Sequence, residues 1–196
     1  MFNWYVSRSF PILILYSYAG TWPKEKRDDM VNPKPGDSSP YDCYLKGGLL
    51  HAFGMVPRSG LFTKQQLEHS PKASGPRLVV KSGMSTDVTL GWFNGLESFV
   101  RFFPEYGIEE VRSIEASILP YNKDDVDALF SEDGDSGAII LGRDGRIVAL
   151  LTGGTGKNSL GRHDITYATP YCVLEADIKK AHPGIHLYPT STDVHI

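Results

Sequence analysis

The sequence is poor in cysteine: Cys43 and Cys172 stand far apart in 196 residues and cannot form a disulfide framework. Free thiols are the expected state, which favours a reducing, intracellular compartment over a secreted one. No asparagine lies in an N-x-S/T acceptor context, so glycosylation adds no hint of secretion. Positive charge is also scarce. A net charge of -3, with no Lys or Arg run beyond scattered pairs, leaves no electrostatic footprint for nucleic acid. Long apolar runs are missing too: Phe10-Pro11-Ile12-Leu13-Ile14-Leu15-Tyr16 is too short to span a bilayer. Pro11, the neighbouring tyrosines and the want of a small-x-small cleavage site argue against a signal peptide. No membrane partner is expected.

Two further chemistries fail on spacing. Gly153-Gly154-Thr155-Gly156-Lys157 has Leu151 where a phosphate loop needs its first glycine and Asn158 where it needs Ser or Thr, which excludes nucleotide binding. The acidic residues Asp124, Asp125, Asp127, Glu132, Asp133 and Asp135 fit no register of a calcium loop with its sixth-position glycine and twelfth-position glutamate. They read as a solvated loop. No metal and no cofactor are expected.

What is present is an ordinary globular composition, 41% apolar and 22% charged, with one chemically specific stretch. Glu132-Asp133-Gly134-Asp135-Ser136-Gly137 places a serine between glycines, followed by a run, Ala138-Ile139-Ile140-Leu141, that calls for burial. A serine hydroxyl is a poor nucleophile. It needs backbone N–H groups aimed at the developing oxyanion and a base to take its proton. Gly134 and Gly137 permit the tight backbone such an arrangement requires. The α/β-hydrolase nucleophile elbow does not fit, because it needs a glycine where Ala138 stands.

Around this stretch the chain reads as short strands. Residues 78 to 83 and 87 to 93 are rich in β-branched and aromatic residues around a Gly-Met-Ser-Thr turn, and 113 to 119 alternates. Asp144-Gly145 between two apolar runs predicts a hairpin over 137 to 151, since both turn residues tolerate positive φ. Residues 164 to 170 form another strand, and a helix is expected over 173 to 181, closed by Pro183-Gly184. From 95 to 106 the apolar spacing is mixed. About six strands between 78 and 168, at this spacing, predict an all-β, six-stranded antiparallel barrel with a C-terminal helix.

The Gly-Asp-Ser-Gly quartet at 134 to 137, with the strand order that follows it, resembles the nucleophile loop and second barrel of the chymotrypsin/trypsin-like serine peptidases. Residues 81 to 91 also resemble a K-x-G-x-T-T-G-x-T-x-G pattern in uncharacterised fungal trypsin-like proteins, with Ser85 and Asp87 as departures. The resemblance implies a serine endopeptidase acting on protein or peptide substrates. In it Ser136 is the nucleophile and the N–H groups of Gly134 and Ser136 form the oxyanion hole. Thr152, Gly153 and Gly154 line the substrate cleft and pair with the substrate backbone. Asp135 is buried by an ion pair that shapes the oxyanion loop. Basic specificity in that family needs an acid six residues before the nucleophile; that place is Phe130, so a basic preference is not expected.

The resemblance covers 47 to 188. Residues 1 to 46 read as an irregular segment and linker, and 189 to 196 as a tail. In the family the histidine and aspartate of the triad come from a first barrel, for which 1 to 46 offer too little chain, and the sequence has no alanine-alanine-histidine stretch. None of His51, His69, His163, His182, His186 and His195 stands out as a replacement; His163-Asp164 are neighbours on a strand and would point to opposite faces. Two expectations follow. Either this is part of an active endopeptidase, or it is an inactive pseudoenzyme serving as a protein-binding or regulatory module. In the second case an apolar barrel face would be exposed to a protein partner or to self-association.

Overall fold

The structure is a computed structural model, which describes residues 52, 54 to 62, 78 to 102, 111 to 122, 128 to 156 and 164 to 185. The expectations for 1 to 46 and 189 to 196, and for His51, His69, His163, His186 and His195, lie outside the described residues.

Six antiparallel strands close a barrel in the order β1-β2-β3-β6-β5-β4. They are β1 (Leu78–Gly83), β2 (Asp87–Phe102), β3 (Val111–Pro120), β4 (Ile139–Gly142), β5 (Ile147–Gly154) and β6 (Thr166–Pro170). A single turn of helix, α1 (Arg58–Leu61), precedes them and α2 (Tyr171–Ala181) follows. Among the described residues no helix is long and apolar enough to cross a membrane. The expected barrel and terminal helix are therefore the observed architecture.

Period-two alternation sorts the strands onto two cores. Inside the barrel, Val79, Phe93, Ala116, Ile118, Phe130, Ile140, Val148, Leu151 and Ala168 form one buried cluster, which Val56 and Leu61 from the N-terminal side join. On the outside, Leu78, Val80, Leu90, Leu141 and Ile147 pack against Tyr171, with Leu174 of α2 beside them. β1 is thus buried on both faces, which explains its continuous apolar run. The half-buried Cys172 thiol packs against the inner cluster and is free.

Three boundaries differ from the sequence expectation. The mixed spacing after Phe93 belongs to the same strand: β2 continues to Phe102, with a register shift between Phe93 and Glu97 where Gly95 takes φ +75°. Three residues of β2 there stand against one of β3, and this irregularity interrupts the apolar spacing. The β4–β5 turn is not one with two positive φ angles. Only Gly145 is left-handed, at +77°, and Gly142 both accepts from Gly145 N–H at 2.9 Å and donates to Arg146 O at 2.9 Å. This is a three-residue turn with its last residue in the left-handed region. Asp144 stays right-handed because its carboxylate turns back to accept Arg146 N–H at 3.1 Å. Finally, α2 begins at Tyr171, directly after Pro170, because the proline's fixed φ suits a helix entrance and Tyr171 is drawn into the outer core.

Gly91 is one place where strand and loop press close together. A methyl added there would lie 2.6 Å from the Phe130 ring, 2.7 Å from Ile118 Cγ2 and 2.8 Å from Leu119 O. Gly91→Ala should therefore lower stability by about 1–3 kcal/mol through overpacking, read as a lower urea midpoint at unchanged slope.

Candidate functional site

The stretch 130 to 138 crosses one end of the barrel. Its backbone is folded by two short turns: Asp135 N–H donates to Glu132 O at 3.0 Å, and Ala138 N–H to Asp135 O at 3.0 Å. Gly134 between them has φ +100°, and a side chain there would overlap Ser85 Oγ, so only glycine fits. Gly137, at φ +87°, donates to Leu151 O at 2.8 Å, while Leu151 N–H donates to Ala138 O at 3.0 Å. These two bonds continue the β4–β5 ladder and fix Ser136 one residue before the barrel. Ser136 and Gly134 are exposed. Among the described residues neither N–H is taken up by a backbone carbonyl.

Beneath the exposed serine lies a buried ion pair. Lys81 Nζ stands 2.8 Å from Asp135 Oδ2, and both side chains are wholly closed to solvent. Burying such charges is costly unless every lone pair and proton finds a partner, and here the β1–β2 turn supplies them. Asp135 Oδ1 accepts the backbone N–H of Ser85 at 2.7 Å and of Thr86 at 3.3 Å. Its Oδ2 accepts Thr86 Oγ1 at 2.6 Å and Glu132 N–H at 3.1 Å. Lys81 also donates to Thr86 Oγ1 and to Asp87 O, and lies over the Phe130 ring at 6.0 Å. Burial pushes the Asp135 carboxyl up. The bonds from Lys81, Thr86, Ser85 N–H and Glu132 N–H overcome it and hold the group well below the ordinary carboxylate range. A side chain at Gly83 would overlap the carboxylate. Ser85 Oγ donates to Asp133 O at 2.5 Å, tying the turn to the serine loop a second time.

The other expected positions fall around this loop. Thr152, Gly153 and Gly154 end β5. After a register shift between Leu151 and Gly153, Gly153 stands opposite Tyr167 of β6 and Gly154 opposite Thr166, and Thr152 Oγ1 donates to Tyr167 O at 3.1 Å. The β4 pairing stops at Leu151, so among the described residues the other edge of 152 to 154 has no strand against it. Phe130 is fully buried in the inner core, and its carbonyl accepts Thr89 Oγ1 at 2.6 Å. Ser131 and Thr166 share a buried hydroxyl–hydroxyl bond of 2.6 Å. Asp164 is buried beside them, its Oδ1 accepting Thr155 Oγ1 at 3.3 Å. Burial pushes its carboxyl up, against bonds from Thr155, the Gly156 and Ile165 N–H groups and Thr166. His182 caps the C-terminus of α2 and is exposed.

Reading residues alone missed the lysine. The sequence places Lys81 only at the start of the 81 to 91 pattern, with no partner assigned. Its signal was a single charge directly after Leu78-Val79-Val80, on the same face as Val79 and therefore turned into the barrel.

No family model matches the chain, and no curated protein matches it. Among solved structures, the chain is similar to Cellulomonas bogoriensis chymotrypsin, with a TM-score of 0.39 and 21% identity over 67% of this chain and 55% of that one. It is also similar to Thermobifida fusca protease A, with a TM-score of 0.41 and 19% identity over 71% of this chain and 58% of that one. The likeness is one of fold. The chain covers less than two thirds of the length of either.

Lys81→Met should cost about 3–5 kcal/mol, because it strands a buried carboxylate. Adding Asp135→Asn should restore a large part of that loss, a coupling that a urea-unfolding double-mutant cycle measures. The pH dependence has a fixed sign. Asp135 is depressed in the folded state, so its contribution is present above the ordinary carboxylate range and is lost as pH falls through the depressed value. The stability gap between wild type and Asp135→Asn should narrow in acid.

Proposed function

We propose that this barrel is the nucleophile-bearing half of a serine endopeptidase site, acting on protein or peptide chains. The observation that carries the reading is the serine loop: Ser136 is exposed, Gly134 N–H and Ser136 N–H are not taken up by a backbone carbonyl among the described residues, and the aspartate between them is pinned from below. Donors held in place before reaction stabilise a developing oxyanion without reorganisation cost. The open edge at 152 to 154 suits an extended peptide added as a further strand, with main-chain bonds for affinity and side pockets for selectivity.

In the proposed step Ser136 Oγ attacks the scissile carbonyl carbon as its proton passes to a base. The carbonyl oxygen takes up the negative charge between the Gly134 and Ser136 N–H groups. Collapse then expels the amine, and water later releases the acid. His182 at the far end of α2 does not stand as that base, so the histidine and aspartate would come from outside the described residues. Without them the cost is on the order of 10⁶ in kcat, with roughly 10³ over water retained by the oxyanion donors and binding.

A second reading, a binding or regulatory module without catalysis, is favoured by a different observation. Phe99 and Ile114 are cross-strand partners on the β2–β3 ribbon and are 63% and 54% exposed. Such a pair would suit a protein partner or self-association.

Fluorophosphonate labelling of the native protein, isolated with its natural partners, separates the two. Labelling at Ser136 that disappears in Ser136→Ala is the expected result for the peptidase. A protein at 21.7 kDa, without partners and without label, would overturn it in favour of the binding module.

A further inference from the structure

Beyond the irregularity near Gly95, β2 and β3 continue as a two-stranded ribbon. Among the described residues β1 pairs with β2 only as far as Trp92, and β6 with β3 only from Ala116 to Ile118. The ribbon's register sets Glu97 opposite Ala116, Phe99 opposite Ile114 and Arg101 opposite Arg112, and the period of two puts these side chains on one face. That face is open where the other is not. Phe99 is 63% and Ile114 54% exposed, and Glu97, Arg101 and Arg112 are exposed with them. On the opposite face Ser98, Val100 and Ser113 are half-buried and Glu115 is buried.

Charge is spread unevenly along the open face. At the barrel end Glu97 is ion-paired to Arg58 of α1, which neutralises both. At the far end Arg101 and Arg112 stand directly opposite each other, where like charges repel. Each takes part in an interaction, and both stay exposed. The face is thus apolar at its centre and positive at its far end, in a chain whose net charge is -3. A carboxylate placed between two guanidinium groups relieves their repulsion and accepts charge-assisted hydrogen bonds. Phe99 and Arg101 are two residues apart, about 7 Å along a strand, the same step that separates side chains i and i+2 on one side of an extended peptide. Two exposed apolar side chains fall far short of the roughly 800 Å² that each partner gives to a stable interface, which suits a short segment better than a second copy. A lipid surface fits less well, because the arginines lie farther out than the apolar pair and the chain as a whole is acidic.

We propose that this face docks a short extended segment of a partner protein in which an apolar residue and an Asp or Glu are separated by one position. The apolar side chain covers Phe99 and Ile114, and the carboxylate lies between Arg101 and Arg112. The inference rests on the reading of the apolar pair as a docking face and not on Ser136. From Ala116 toward Ile114 the ribbon runs in the direction of Pro170 and Ala149, opposite to that of residues 152 to 154.

The test titrates the full chain by amide NMR with three peptides: acetyl-Ser-Leu-Ser-Glu-Ser-amide and its analogues with Gln or Lys in place of Glu. The Glu peptide should bind about fivefold more tightly than the Gln peptide, and the Lys peptide more weakly than either, with shifts centred on residues 99 to 101 and 112 to 114. The preference should disappear in about 1 M salt, where the screening length falls to about 3 Å. Arg101→Gln combined with Arg112→Gln should bring the ratio to about one, while Phe99→Ser should weaken the Glu and Gln peptides alike. Should the double variant fail to fold, Arg112→Gln alone should at least halve the ratio, and an unchanged ratio would count against the proposal. No binding, or equal affinity for the Glu and Gln peptides, would overturn it; in the second case the docking face survives and its acidic partner does not. Binding to phosphatidylserine vesicles in preference to the peptides would give the face to a lipid surface, and a concentration-dependent species at twice 21.7 kDa that Phe99→Ser abolishes would give it to a second copy. Either result overturns the proposal. Fluorophosphonate labelling of Ser136 should be the same in all these variants, so the nucleophile reading stands or falls separately.

Discussion

The ion pair between Lys81 and Asp135 is the interaction on which the site depends. Two charges wholly withdrawn from water are a liability on their own, since desolvation can exceed their attraction. Here the penalty is offset by a complete set of donors from one turn, the Ser85 and Thr86 backbone and the Thr86 hydroxyl. The outcome is mechanical. Asp135 cannot rotate outward, so its neighbours Gly134 and Ser136 are held with their backbones facing solvent. What anchors β1 to the loop also holds Ser136 exposed.

Several constraints radiate from that pair. Gly83 must lack a side chain because the carboxylate fills the space, and Gly134 must lack one because Ser85 stands beneath it. The tight β1–β2 turn places Asp87 at φ 51°, a left-handed angle that costs a residue with a Cβ but tolerates Asp better than a branched side chain. The strain is accepted where the same turn must deliver two N–H groups to one carboxylate. On the far side, Phe130 fills the barrel interior and leaves the inner wall of the loop apolar.

Much of this was legible in the residues. The hairpin around Gly145, the alternating strand ending at Pro120 and the helix after Pro170 each follow from local chemistry, and the Gly134-Asp135-Ser136-Gly137 loop announced itself. What was not legible is what depends on contacts distant in sequence. Nothing local says that Lys81 meets Asp135, 54 positions away, although a lone lysine after three apolar residues was a signal that it needed a partner. The irregularity near Gly95 hid the second half of β2, because two extra residues interrupt its pairing and its apolar spacing. The sequence marks Asp164 as the start of a strand and the neighbour of His163, and no more. Its burial and its orphan oxygen are properties of the closed barrel, not of the strand.

The measurement that bears most directly on the clamped serine loop is residue-resolved amide hydrogen exchange over 132 to 138. If the Lys81–Asp135 pair holds the loop with its donors free, Asp135, Gly137 and Ala138 N–H groups should be protected, while Gly134 and Ser136 exchange at close to the rates of an unstructured chain. Rapid exchange throughout the stretch would mean that the loop is not held. Protection at Gly134 and Ser136 would mean that their N–H groups are already occupied and unable to receive an oxyanion.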